Sequence, residues 1–315
     1  MRSERDMQKK RMLLGCAYIV LSAVIFGCMP LMAKHLYADG VNSMTLVALR
    51  NTISLPFLFL IAVLNKEPFA KRAVDTLPVL GIGVLGCAVT PLLLFSSYNY
   101  MNSGAATVLH FVYPAVVLLM EFIFLRGGVR KTSVLAITLC IAGIALFYNP
   151  AEGLSLTGSV LALASGVAYA GYIFLLGRFG KRGMGSFAFA FFATLAATAV
   201  MWLACLASGA VSLPRSAFGW GLSIVFALVI NIGAVMLFQS GTFIIGGQRA
   251  AILSTFEPIT SLIVGYFAFS EAVTPLSILG SVLVLAASAV TALGDGEEKT
   301  NEEKNEGSEE SHHEK

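Results

Sequence analysis

Residues 248–258 read QRAAILSTFEP and place one carboxylate, Glu257, beside Pro258 inside a long apolar segment. Residues 104–114, 144 positions earlier, read GAATVLHFVYP. With no gap, that offset pairs Ala106 with Ala250, Leu109 with Leu253 and Pro114 with Pro258. It then pairs Leu118 with Leu262, Ser133 with Ser277, Leu139 with Leu283, Ala142 with Ala286 and Ala145 with Ala289. A self-match sustained at one offset through two apolar segments marks a duplicated unit, and chemistry is expected where its halves correspond.

The length of 315 residues would fit one large or two medium soluble domains, but composition decides otherwise. Hydrophobic residues make up 57% of the chain and charged residues 12%, with a mean hydropathy of +0.81. Soluble chains carry about a quarter charged residues. The apolar residues come in runs of roughly 17 to 25, enough to cross a hydrocarbon core of about 30 Å. The reading is an all-α integral membrane protein. Cys16, Cys28, Cys87, Cys140 and Cys205 all lie in apolar segments without paired spacing, so they read as small hydrophobes.

Apolar runs and breakers predict ten transmembrane helices, near 13–34, 42–64, 77–98, 104–125, 132–147, 158–176, 186–207, 219–243, 248–267 and 275–293. Lysine and arginine orient them. Arg2, Arg5, Lys9, Lys10 and Arg11 precede the first helix, and the alternate loops hold Lys66, Lys71 and Arg72, then Arg126, Arg130 and Lys131, then Arg178, Lys181 and Arg182. Arg249 and the tail share that side, whereas the other has only Lys34 and Arg215. Both termini are therefore expected in the cytoplasm.

At an offset of 143, Gly15–Ser22 echoes Gly158–Ser165, and Leu94-Phe95-Ser96-Ser97 echoes Leu237-Phe238-Gln239-Ser240. Each half thus holds five helices. Because five is odd, the second copy must sit upside down relative to the first. The expected organisation is a basic segment 1–12, a first repeat 13–148, a linker 149–157, a second repeat 158–293 and a disordered acidic tail 294–315. Inverted repeats are the architecture of many secondary transporters, which bind substrate near the midplane at the repeat interface.

Some residues are costly to place in such a bundle. Arg50 lies about eight residues into the second helix, and a charge near a helix centre costs about 2.5–3.5 kcal/mol on insertion scales. It either snorkels to the interface or faces inward to a carboxylate or an anionic substrate group. Glu257 sits near the midplane, where it pairs with Arg50, is protonated, meets a cationic substrate group or is structural. Its counterpart is Tyr113, so the site is not symmetric. Pro114 and Pro258 free the carbonyls of His110 and Ser254 and predict matching kinks. His110 reads as a core residue or a ligand contact. Phe26, Tyr169 and Tyr172 read as core or cavity lining, and Asn231 and Gln239 as packing or site polars.

Metal-site, phosphate-loop and dinucleotide motifs are lacking, so no cofactor or metal is expected and an enzyme or lipid-handling protein is the poorer reading. A passive channel is the third. Together the residues resemble the EamA-type branch of the drug/metabolite transporter superfamily. The resemblance rests on Glu257-Pro258, on Phe269-Ser270-Glu271, on the glycine-led final helix 279–288 (LGSVLVLAAS) and on Arg50 within Ala48-Leu-Arg-Asn-Thr52. It spans about residues 13–293. It implies a central cavity and movement of small metabolites across the inner membrane, frequently export of amino acids or related compounds. Gly127 departs from it, standing where the family often has the acid that Glu271 supplies, and Glu271 itself reads as a loop-end residue. The expected partners are a small-molecule substrate and the bilayer, with no nucleic acid; a homodimer is compatible with the sequence.

Overall fold

The computed structural model describes residues 2–69, 73–125, 131–147, 155–179, 183–245, 250 and 253–290. The described residues are helices and their connections, without a strand. The helices are α1 Arg2–Gly27, α2 Met29–Ala38, α3 Ser43–Leu64, α4 Ala73–Gly83, α5 Thr90–Ser97, α6 Ser103–His110 and α7 Tyr113–Leu125. They continue as α8 Lys131–Phe147, α9 Leu156–Phe179, α10 Ser186–Ala207, α11 Ala217–Val225, α12 Val235–Ile245, α13 Phe256–Phe269 and α14 Pro275–Val290. Two π-helical segments, Val84–Val89 and Phe226–Ala234, join α4 to α5 and α11 to α12.

Among the described residues, seven segments are long and apolar enough to cross a membrane: Lys10–Ala38, Ser43–Leu64, Thr76–Ser97, Ser103–Phe124, Leu156–Phe179, Ser186–Ala207 and Ala217–Thr242. Val134–Leu146, Phe256–Phe269 and Pro275–Val290 are shorter apolar helices. The outward faces carry apolar residues such as Leu60, Leu203, Ile263 and Phe267, whose contact with acyl chains costs nothing.

Backbone irregularities recur at a fixed spacing. α3 and α10 coincide end to end at 143 positions, 43 with 186 and 64 with 207. Both close on a left-handed residue, Lys66 (φ 52°) and Gly209 (φ 64°). The same bond follows each, Glu67 N–H to Ala62 O at 2.9 Å and Ala210 N–H to Cys205 O at 3.0 Å. Gly40 and Gly183, also 143 apart, both have positive φ. The two π segments overlap at that spacing, and the break between α6 and α7 at Phe111-Val112 matches the turn at Ser254-Thr255 before α13.

α3 and α10 lie antiparallel. At one end Asn42 Nδ2 donates to Ala210 O at 2.6 Å and Ser212 N–H to Thr45 Oγ1 at 3.0 Å. At the other, Glu67 Oε2 accepts from Phe187 N–H at 2.7 Å and Ala188 N–H at 2.9 Å, capping a helix whose own N-cap, Gly185, has no side chain to do so.

Among the described residues, helices stand at the expected apolar runs, seven of the segments being long enough to span, with changes in detail. The first is interrupted at Cys28, and the fourth is broken rather than bent. Pro114 and Pro258 are not kinks inside continuous helices but sit in the first turns of α7 and α13, where a missing N–H costs nothing. Neighbouring side chains donate to several carbonyls at these irregularities. In the π segments Asn51 Nδ2 donates to Cys87 O (2.9 Å), Thr90 Oγ1 to Leu85 O (2.8 Å) and Ser54 Oγ to Ala227 O (3.3 Å). Ser22 Oγ donates to Ala234 O (2.7 Å), Ser261 Oγ to Gly27 O (3.1 Å) and Ser288 Oγ to Phe111 O (3.4 Å).

Close helix contact depends on glycine. A Cβ on Gly83 would strike the backbone of Ala193 in α10, whereas Gly81 has open space around its own. Gly83→Ala should therefore lower the melting temperature in detergent by an overpacking cost of about 1–3 kcal/mol. Gly81→Ala should leave it unchanged or raise it; equal melting of the two variants would contradict the packing.

Candidate functional site

A cavity of about 570 Å³ lies between the helices, within the size range of small-molecule sites. Its lining runs from Met29, Leu94 and Phe95 at mid-depth to Leu176, Ser186, Phe187 and Phe238. It therefore reaches the helix ends near Glu67 and stops short of those near Lys34. Tyr98, Met101, Leu36, Leu46 and Met201 pack solidly on the Lys34 side. Both π segments open onto the cavity, through Gly86 and Cys87 in one and Ile230, Asn231 and Ile232 in the other. An extra residue per turn aims side chains and carbonyls where a regular helix would not, which is why such bulges gather at functional sites.

Two charged residues of opposite sign line it. Arg50 is 8% exposed and faces inward, with its guanidinium carbon 5.3 Å from the centre of the Phe95 ring. Its Nε has no hydrogen-bond partner. Snorkelling is thus excluded for this residue. Glu257 lies in the first turn of α13, where the positive end of a helix dipole favours a carboxylate. Arg50 and Glu257 form no ion pair with each other; among the described residues the ion pair is Lys34–Glu271. An isolated charge withdrawn from water is costly.

Aromatic rings stand around the Glu257 end. Tyr113 and Tyr169 meet edge to face at 4.8 Å, and Tyr169 and Tyr172 stack at 5.7 Å. His110 lies 5.4 Å from Tyr169, and its Nδ1 is 2.8 Å from Ser165 Oγ. The Tyr113 phenol is hydrogen-bonded to Ser254, so the two broken helices touch at their breaks. Ring faces of this kind attract cations.

The structure brings Phe26, Arg50, His110, Tyr113, Tyr169, Tyr172, Asn231, Ser254 and Glu257 to this one cavity. Asn231 donates to Ser54 Oγ at 3.1 Å. The side chains of Gln239 and Glu121 lie outside the described residues. Pro114 and Pro258 shape the breaks rather than the lining. Sequence reasoning missed Asn51, Cys87, Thr90 and Thr194 as lining; the small polar pair Asn51 and Thr194, 143 apart, was the available signal.

Glu271 lies in the turn after α13, as a loop-end residue should, but it is not solvated there. It is buried, paired with Lys34 and bonded by Ser103 N–H at 2.9 Å, Ser103 Oγ at 2.7 Å and Gly104 N–H at 3.3 Å. Burial pushes its carboxyl up, but the bonds from Lys34 and Ser103 outweigh this and hold it below the usual carboxylate range. Asp39 Oδ2, at the same end, accepts from Arg215 N–H at 2.9 Å and Ser216 N–H at 3.2 Å. A Ser216 side-chain bond, those amides and the Arg215 charge lower it too, against a small desolvation effect.

Apolar helices enclosing a two-charge cavity that reaches one end only have the build of a multi-pass membrane transporter. The chain belongs to the EamA-like transporter family, whose model matches residues 13–149 and again 156–293. YcbK, an uncharacterized transporter of Bacillus subtilis, is 25% identical over 296 residues, covering 89% of this chain and 93% of its own. An uncharacterized transporter of Archaeoglobus fulgidus is 28% identical over 276 residues, covering 86% and 94%. YicL of Salmonella typhimurium, named an uncharacterized inner membrane transporter, is 23% identical over 301 residues, covering 89% and 95%. A crystal structure covers 90% of this chain and 98% of its own with a TM-score of 0.61; at 18% identity the likeness is one of fold.

The lowered carboxyls make stability depend on pH. A depressed folded value stabilises above the unfolded value of about 4 and is lost as pH falls through the depressed one. Melting in detergent should be flat from neutral pH to about 5 and fall below about 4. Asp39→Asn and Glu271→Gln should each flatten that acid limb while lowering the neutral plateau, and an unaltered acid limb in both would contradict the assignment.

Proposed function

We propose that the protein is a secondary transporter that moves a small dipolar metabolite, an amino acid or a related compound, across the inner membrane by alternating access. One observation carries this reading: Arg50 and Glu257, opposite in sign and unpaired with each other, line one cavity that reaches a single end of the bundle. A carboxylate bound near Arg50 and an amine held among Glu257, Tyr113 and Tyr169 would satisfy both. Export is the direction favoured by the family resemblance.

The same reading takes the three shorter apolar helices as membrane-crossing too, giving ten, in two inverted repeats over residues 13–148 and 158–293. The matched irregularities at 143, the antiparallel α3–α10 pair and the double family match support it. Lysine and arginine then put both termini, and the end of the cavity at Ser186, in the cytoplasm. Inverted halves can exchange conformations, which turns an inward opening into an outward one. Glu257 also offers a site for a coupled proton; exchange independent of pH together with unaltered transport by Glu257→Gln would remove that role.

Counterflow in proteoliposomes with pooled labelled amino acids tests the proposal. Native protein should give saturable, trans-stimulated uptake. Glu257→Gln and Arg50→Gln should each raise KM at least about tenfold, the loss of one charged contact. Amino esters should still compete in Arg50→Gln, and N-acyl amino acids in Glu257→Gln. Uptake unchanged in both variants would make the charges structural, and unsaturable flux without counterflow would indicate a channel.

A further inference from the structure

We propose that Lys34 and Glu271 form a one-sided latch that holds the extracytoplasmic gate shut, so that the unloaded protein rests open to the cytoplasm. The inference rests on the orientation and alternating access proposed above and adds which state is favoured and what favours it.

A single carboxylate gathers three segments. Glu271 accepts from Lys34 Nζ on α2 and from Ser103 N–H, Ser103 Oγ and Gly104 N–H at the start of α6, while belonging itself to the turn after α13. The left-handed Ser270 (φ 51°) and the bond from Glu271 N–H to Gly265 O (3.1 Å) fold that turn back over the helix end. Gly265 leaves room for the Glu271 carboxylate, which a Cβ there would displace. Lys34 Nζ also sits 4.5 Å from the centre of the Phe269 ring, and Asn102 Nδ2 donates to Ala272 O at 3.1 Å. Charge-assisted bonds in a half-buried setting are strong and resist screening by salt.

The sequence does not repeat these side chains at the equivalent positions of the other half. At 143 positions Lys34 corresponds to Gly177; at 144, Glu271 corresponds to Gly127 and Ser103 to Gly247. None of the three glycines can carry a charge or a hydroxyl. A Cβ at Gly177 would meet nothing within 4 Å, and this is the end that the cavity reaches at Ser186 and Phe187. Opening the outer gate would break four hydrogen bonds to Glu271, and glycines at the equivalent positions have no side chain with which to form them. Two otherwise interchangeable states are thereby made unequal.

Cys87 reports the difference, since it lines the cavity and can be kept as the sole cysteine by replacing Cys16, Cys28, Cys140 and Cys205 with alanine. A membrane-impermeant methanethiosulfonate is applied to intact cells and, separately, to inverted vesicles. Without further change, Cys87 should react quickly from the cytoplasmic side and slowly from outside. Lys34→Gln, which leaves the Ser103 and Gly104 bonds intact, should raise the outside rate about tenfold or more and lower the cytoplasmic rate, as expected when a latch of this strength is released. Glu271→Gln should go further in the same direction. Unchanged rates from both sides in Lys34→Gln would overturn the latch while leaving the transporter reading intact. Fast reaction from outside alone, before either substitution, would instead overturn the orientation on which that reading depends.

Discussion

In hydrocarbon no water completes a broken helix, so each backbone carbonyl released by an irregularity must find a partner within the protein. This constraint organises the bundle. At several of the π segments and helix breaks among the described residues, a serine, threonine or asparagine of the same or a neighbouring helix donates to a carbonyl. Asn51 serves the segment Val84–Val89, Ser54 and Ser22 serve Phe226–Ala234, and Ser261 and Ser288 serve the breaks at Gly27 and Phe111. Small polar residues that look like incidental packing in the sequence are what permit a membrane helix to be irregular at all.

The irregular positions then become the cavity wall. A regular helix turns a fixed stripe inward, but a π segment adds a residue and the break before α7 or α13 swings the following turn. Tyr113 and Glu257 occupy matching places just beyond the two breaks, and the bond between Tyr113 and Ser254 joins them. Duplication therefore supplies a symmetric frame, while the differing residues at equivalent points supply the chemistry. The same holds for Glu271 and Lys34, whose equivalent positions in the other repeat are glycines.

Much was legible in the sequence because its causes are local or periodic. Apolar runs reveal spans, and a constant offset reveals duplication. Arg50 and Glu257 stood out because an ionised group among apolar neighbours is costly wherever the segment packs. Glu271 escaped, since a carboxylate two residues past a helix end looks solvated until Lys34 and Ser103, 237 and 168 positions away, are brought against it. Asn51 and Thr90 escaped for the opposite reason: their polarity is cheap, and their role appears only once carbonyls are freed beside them.

Composition, charge placement and the repeat determined by themselves that this is an apolar helical bundle built from two related halves, since each follows from partitioning between water and lipid. Tertiary structure decided that Arg50 and Glu257 share a cavity without pairing, that the proline segments break rather than bend, and that one end is sealed. Those outcomes depend on distances between residues far apart in the chain, and hydropathy carries no information about distance.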